Sequence, residues 1–146
     1  MVATLKFLCT LAATLFAGAA LYINLAEHPA RLDLDTRQAA LQWAPSYKRA
    51  TWLQAPLAII SFLCGVLIAL ITGDMRWLVP AFLVGAVVPF TLVVIMATNR
   101  QLLAGGRDLS SPGTRRLLVR WGRLHAVRTA LSLMASAVYL WLLVGV

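Results

Sequence analysis

The sequence predicts an all-α fold, an antiparallel bundle of four helices embedded in a membrane, and two observations predict it. Of 146 residues, 61% are hydrophobic and only 12% are charged, with a mean hydropathy of +0.82. A soluble domain carries about 25% charged residues. In addition, four apolar stretches reach the roughly 20 residues that a helix needs to cross a bilayer. They span about 2–25, 52–72, 77–98 and 125–144, so 1–146 is predicted to be a single transmembrane domain.

The first stretch places Lys6 before an apolar run, a pattern that signal peptides share. The run at 2–25 is nevertheless long enough to span a bilayer, so we expect it to remain as a transmembrane helix. The second and third stretches are separated only by Gly73-Asp74-Met75-Arg76. Such a short connection predicts that these two helices form a tight antiparallel hairpin.

The segment at 36–54 carries aromatic and polar residues at helical spacing. We expect it to be helical, to lie along the membrane interface and to bend at Pro45 and Pro56, because proline disrupts the helical hydrogen-bond ladder. Before the fourth stretch, the glycines, serines and proline within 105–113 predict a flexible turn.

The basic residues are distributed unevenly between the two predicted sides of the membrane. The polar segments at about 26–50 and 99–124 lie on one side, while Lys6 and Arg76 lie on the other. Positive residues favour the cytoplasmic side and also attract anionic lipid headgroups, so both termini are predicted to lie outside a bacterial inner (plasma) membrane. The basic side holds 11 of the 13 lysines and arginines: Arg31, Arg37, Lys48, Arg49, Arg100, Arg107, Arg115, Arg116, Arg120, Arg123 and Arg128.

Polar and aromatic side chains recur along the helices near this basic side. Polar groups within a membrane are costly unless they pair with one another or face a cavity. Both histidines of the chain fall at this level, on different helices, which favours a polar pocket at the mouth of the bundle. The stripes comprise Asn24, Glu27, His28 and Arg31; Trp43, Tyr47, Thr51 and Gln54; Thr91, Thr98 and Asn99; and Trp121, His125, Arg128 and Ser132.

These stripes contain short motifs that together span nearly the whole chain. Their order and spacing resemble the anthrone oxygenase-like family of small four-helix integral membrane proteins, which is also catalogued under a domain of unknown function. The motifs are Glu27-His28-Pro29-Ala30-Arg31, Trp43 with Tyr47-Lys48-Arg49, Pro89-Phe90-Thr91, Thr98-Asn99-Arg100, and Trp121 with Leu124-His125-Ala126-Val127-Arg128-Thr129.

The resemblance implies an oxidoreductase, an oxygenase that converts an anthrone-like aromatic polyketide to a quinone with dioxygen. Such chemistry needs a base for an acidic methylene and a donor for the enolate oxygen. We expect His125 or His28 as the base, Arg128 and Asn99 as stabilisers, and Glu27 as the group that orients a histidine. Residues expected to bind the substrate are Trp43, Tyr47, Trp121, Gln54 and Thr98.

Other interpretations of the same residues stay open at this point. The reaction requires no cofactor, yet His28, His125 and Glu27 form a set of the type that binds non-haem iron or copper, and two histidines also suit haem. A non-enzymatic accessory or scaffold protein would use the polar stripes only to hold helices together. The expected partners are the lipid bilayer, the aromatic substrate and dioxygen. Homo-oligomers are allowed, and no nucleic acid is expected.

The uneven distribution of basic residues makes the topology testable. A reporter enzyme that is active only outside the cytoplasm, fused to the C-terminus, is expected to be active, because the positive-inside rule holds the two basic segments in the cytoplasm. Activity of a cytoplasmic reporter at the same fusion point would contradict this orientation.

Overall fold

A computed structural model describes residues 1–145 as four long helices. They are α1 (Val2–Leu32), α2 (Thr36–Thr72), α3 (Met75–Leu102) and α4 (Pro112–Val144), and each is long and apolar enough to cross a membrane. The predicted all-α four-helix fold is therefore confirmed. The helices extend beyond the predicted apolar spans because their polar ends continue the same helical turns toward the basic side.

The four helices form an antiparallel ring in which sequence neighbours are also spatial neighbours. α1 packs against α2 and α4, and α3 packs against the same two helices from the opposite side. Three layers of buried side chains fill the interior. The layer near Lys6 centres on Trp77 and Tyr139, the middle layer on Phe16 and Val84, and the layer at the basic end on Trp43 and Trp121.

Short sequence signals set the helix boundaries. Asp35 accepts a hydrogen bond from the backbone N–H of Gln38 at 2.9 Å, and Ser111 caps α4 in the same way through Thr114 at 3.2 Å. Gly73 ends α2 with a φ of +72°, a left-handed conformation that glycine adopts without steric cost. α3 begins two residues later, so the predicted hairpin between α2 and α3 is present.

The segment predicted to lie along the membrane interface is instead the first part of α2. The helix runs without a break from Thr36 to Thr72 through Pro45 and Pro56. Ala39, Ala40 and Trp43 are buried in the layer at the basic end. This apolar face requires burial, so the segment extends the bundle rather than lying beside it.

Two π-helical turns interrupt the helices on either side of this layer. In α1 the turn covers Ile23–Glu27 and precedes Pro29, and in α3 it covers Thr91–Ile95 and follows Pro89. Proline lacks the N–H that continues an α-helix and its ring crowds the preceding turn, so in α1 the wider turn just before Pro29 lets the helix continue. Helix α1 therefore passes Pro29 and ends only at Leu32. π turns often occur at functional sites.

Close packing between helices depends on small residues. A Cβ atom added at Gly65 on α2 would lie 2.9 Å from the Cβ of Ala81 and would collide with the hydroxyl group of Tyr139. That hydroxyl donates a 3.0 Å hydrogen bond to the carbonyl of Ser61, which links α4 to α2. Gly18 on α1 is exposed, and a Cβ atom there would meet no atom within 4 Å.

The substitution Gly65→Ala is therefore expected to destabilise the bundle by about 1–3 kcal/mol, the usual cost of overpacking. Gly18→Ala is the matched control and is expected to leave the melting temperature unchanged or slightly higher. Thermal unfolding of both variants in the same detergent measures the difference. Equal melting temperatures would contradict the close approach of α2, α3 and α4 at Gly65.

Candidate active site

An aromatic layer at the basic end of the bundle holds both histidines. The imidazole of His28 lies 5.1 Å from the ring centroid of Trp121, and the imidazole of His125 lies 4.9 Å from it. Trp43 meets Trp121 edge-on at 5.8 Å and stacks on Tyr47 at 5.0 Å. The two histidines thus share one aromatic neighbour, although they come from α1 and α4.

Hydrogen bonds engage both ring nitrogens of His28. Its Nε2 lies 3.0 Å from the carbonyl oxygen of Leu118, and its Nδ1 lies 3.2 Å from a guanidinium nitrogen of Arg31. Because arginine only donates, Nδ1 accepts and Nε2 carries the proton given to Leu118. A Cβ atom at Gly122 would lie 2.5 Å from the ring, so this glycine provides the space that the imidazole occupies. His28 therefore ties α1 to α4.

His125 has the complementary arrangement, with one nitrogen held and the other unpaired. Its Nδ1 lies 2.7 Å from the amide oxygen of Asn24. The amide nitrogen of Asn24 donates to the carbonyl of Gly122 at 3.1 Å, and Thr129 donates to the amide oxygen at 2.5 Å. These bonds orient the amide, so Nδ1 of His125 is the donor and Nε2 keeps its lone pair. Within residues 1–145 no partner hydrogen-bonds Nε2.

Asn24, rather than Glu27, thus orients a histidine. The carboxylate of Glu27 accepts hydrogen bonds from Arg31 and Ser46, and Arg31 donates a further bond to Gln42 at 3.2 Å. This cluster, in which Arg31 is buried, joins α1 to α2. Asn24 stood in the predicted stripe of α1, one helical turn from His28, but only its contact across to α4 identifies its role.

A narrow cleft lies between α1, α2 and α4 beside this layer. Its volume of about 10 Å³ is enough for roughly one water molecule. His28, Trp43, Thr98 and Asn99, which were also expected at the site, do not line it. The predicted residues that do line it are Glu27, Tyr47, Gln54, Trp121, His125 and Arg128.

Thr98 and Asn99 are buried on α3, away from the cleft. Neither the Thr98 hydroxyl nor either amide atom of Asn99 has a hydrogen-bond partner among the residues described. Their neighbours Ile95 and Leu102 belong to the aromatic layer. A π turn widens α3 just before them, which changes the faces that α-helical spacing assigns to Thr98 and Asn99.

Arg128 and Gln54 present unpaired donors at the inner side of the cleft. A guanidinium nitrogen of Arg128 donates to the amide oxygen of Gln54 at 2.9 Å. This bond leaves Nε of Arg128 and the amide nitrogen of Gln54 buried without an acceptor in the described part of the chain. Leaving a buried donor unpaired costs about 1–3 kcal/mol. Such a pair is suited to bind an oxygen atom of a ligand.

The structure does not bring His28, His125 and Glu27 together as a set of metal ligands. Across residues 1–145, no three His, Cys, Asp or Glu side chains lie close enough together to hold a metal ion. The ring of Trp121 lies against both imidazoles, and the carboxylate of Glu27 is engaged by Arg31 and Ser46. His28, His125 and Glu27 therefore do not share one coordination site in this arrangement.

Comparison with known proteins identifies the family. The family model described as anthrone oxygenase matches residues 43–138, a range that includes the cleft residues of α2 and α4 and ends before the last turns of α4. Asn24, Glu27 and His28 precede the matched range. No curated protein and no solved structure matches the chain. Since the match covers more than half of the sequence, the chain belongs to the anthrone oxygenase family.

Proposed function

We propose that this protein is a membrane-embedded oxygenase that oxidises an anthrone-like aromatic polyketide to a quinone with dioxygen, with His125 as the base. The observation that carries the proposal is the pairing of an unprotonated Nε2 on His125 with unpaired donors on Arg128 and Gln54, all lining one cleft. His125 and Arg128 are three residues apart on α4, so they occupy neighbouring positions on one helix face.

The reaction needs a proton acceptor and an anion stabiliser. His125 Nε2 removes a proton from the methylene opposite the ketone, and the C–H electron pair forms the enolate, whose oxygen binds the donors of Arg128 and Gln54. The enolate passes one electron to dioxygen, and the resulting radical and superoxide combine to form the C–O bond of a peroxide anion. This anion takes the proton held by His125 and becomes a hydroperoxide. Loss of the second methylene proton and cleavage of the O–O bond release water and leave the quinone carbonyl.

Residues around the cleft support these two groups. Asn24 holds the proton of His125 on Nδ1, which directs the lone pair of Nε2 away from α1. Tyr47 and Trp121 offer aromatic surfaces to a flat ring system, and Trp43 supports Tyr47 from behind. On this proposal His28 has a structural role, because both of its nitrogens are engaged by Leu118 and Arg31.

One observation favours a non-enzymatic accessory protein as the second candidate. The cleft holds about one water molecule, and the groups from α1 around it are already paired. On that alternative, the polar layer only holds helices together. Substitutions of His125 and His28 would then both lower the stability of the bundle. The two candidates therefore differ in what the two histidines do.

Substituting each histidine by glutamine separates these candidates. His125→Gln is expected to lower anthrone turnover by about 10²–10⁴, the usual contribution of a general base, with a melting temperature close to wild type. His28→Gln is expected to lower the melting temperature while turnover per folded molecule stays near wild type. Turnover, corrected for spontaneous oxidation, and thermal unfolding are measured on the same preparations. Equal losses of turnover in both variants would contradict the assignment of His125 as the base.

Removing the donor of Arg128 tests stabilisation of the enolate oxygen. Arg128→Met is expected to lower kcat by about 10²–10³, the usual loss of a donor to a developing oxyanion. Arg123→Met is the matched control, because Arg123 is exposed on the same helix. If both variants retain full kcat, Arg128 does not act on the reacting oxygen.

A further inference from the structure

An apolar groove runs along the outer surface between α2 and α3. Its widest part has a volume of about 510 Å³ and lies between Phe62 on α2 and Phe82 on α3. Ile59 and Phe82 are 49% and 58% exposed, so this part faces the hydrocarbon core when the bundle is in a bilayer. The groove is therefore open sideways to lipid.

The groove leads inward to the candidate active site. A second cavity of about 130 Å³ shares Ala58 and Val88 with the wide part. The same cavity shares Tyr47, Thr51 and Arg128 with the narrow cleft that contains His125. The three spaces thus adjoin one another, from the lipid-facing surface to the cleft at Arg128.

The groove and the cleft differ greatly in volume. Pockets for small molecules usually measure about 300–1,000 Å³, and the wide part of the groove falls in this range. The cleft itself, at about 10 Å³, does not. A polycyclic molecule therefore fits the groove and does not fit the cleft.

The inner end of the path determines the chemistry of the occupant. Nε of Arg128 and the amide nitrogen of Gln54 are buried donors without acceptors in the described residues, and Arg128 is only 9% exposed. An acyl chain would leave both donors unpaired. A molecule with an apolar body and an oxygen acceptor at one end would pair with them. The buried ring of Phe16 lies 5.5 Å from the guanidinium carbon of Arg128 and supports this group at the inner cavity.

We infer that the groove between α2 and α3 is the substrate site of the proposed oxygenase: a polycyclic aromatic ketone dissolved in the bilayer enters sideways and binds Arg128 and Gln54 through its oxygen. The inference rests on the proposed function for the identity of the ligand. The inference also explains how an apolar substrate reaches a polar site. An apolar molecule concentrates in lipid rather than in water, so it enters from the bilayer.

Filling the groove tests this site. Ala55 lines the inner cavity, and Ala86 is exposed at the wide part. In nanodiscs, Ala55→Phe and Ala86→Trp are expected to weaken binding of anthraquinone and to raise the KM for anthrone by about tenfold or more. Anthraquinone that partitions into empty nanodiscs is subtracted from the binding signal. Ala137→Phe is the matched control, because Ala137 is exposed on α4 outside the groove. It is expected to behave as wild type.

Binding and turnover are measured separately, so that the two proposals fail in different ways. If Ala55→Phe and Ala86→Trp turn over anthrone as wild type does, the groove is not the substrate site. The proposed oxygenase activity would then still hold. If both variants weaken anthraquinone binding but wild type does not turn over anthrone, the oxygenase proposal is wrong. The groove would then still be a binding site. If a lipid copurifies with wild type, is lost in both variants and is not displaced by anthraquinone, the groove binds an acyl chain. That result would overturn the inference.

If Ala55→Phe alone unfolds, Ala86→Trp carries the test, because its exposed position imposes no packing cost. The variant Arg128→Met provides a second check. It is expected to weaken anthraquinone binding, because it removes one of the two donors. Unchanged binding in Arg128→Met would contradict a substrate oxygen held by Arg128 and Gln54.

Discussion

Polar side chains inside a bilayer have no water to pair with, and this requirement organises the basic end of the bundle. Asn24 and His28 on α1 find their partners on α4, while Arg31 finds its partners on α1 and α2. These bonds hold three helices in one arrangement. Nearly every polar group of α1 is satisfied in this way. Among the residues that line the cleft, the buried donors without a partner in the described chain belong to Arg128 and Gln54.

The same constraint separates structural from chemical roles among similar residues. His28 and His125 both lie against Trp121, yet of the two only His125 has a ring nitrogen without a partner in the described chain. Glu27 has the chemistry to orient a histidine, but it is engaged by Arg31, and the neutral amide of Asn24 orients His125 instead. A neutral partner adds no charge to a layer that has little water to solvate it.

The four helices divide the work of the proposed enzyme. α4 carries the proposed base His125 and the donor Arg128, α1 contributes Asn24, which hydrogen-bonds His125, and α2 contributes Gln54 and Tyr47. α3 contributes the outer wall of the lipid-facing groove, next to its π turn at Thr91–Ile95. An arrangement of this kind suits an apolar substrate, because the reacting groups stay within the bundle while the path to them opens into lipid.

Composition and hydropathy determined the four-helix fold and the hairpin at Gly73, because membrane insertion depends on local apolar length. The order and spacing of short motifs pointed to the family. Helical spacing also identified His125, Arg128 and Gln54 as candidates for one site. Only the tertiary structure decided that His28 and Asn99 lie outside the cleft, that Asn24 orients His125, and that a groove between α2 and α3 leads to Arg128. Spacing assigns a residue to a face of an ideal α-helix, whereas π turns alter those faces and the neighbouring helices decide which polar groups remain unpaired.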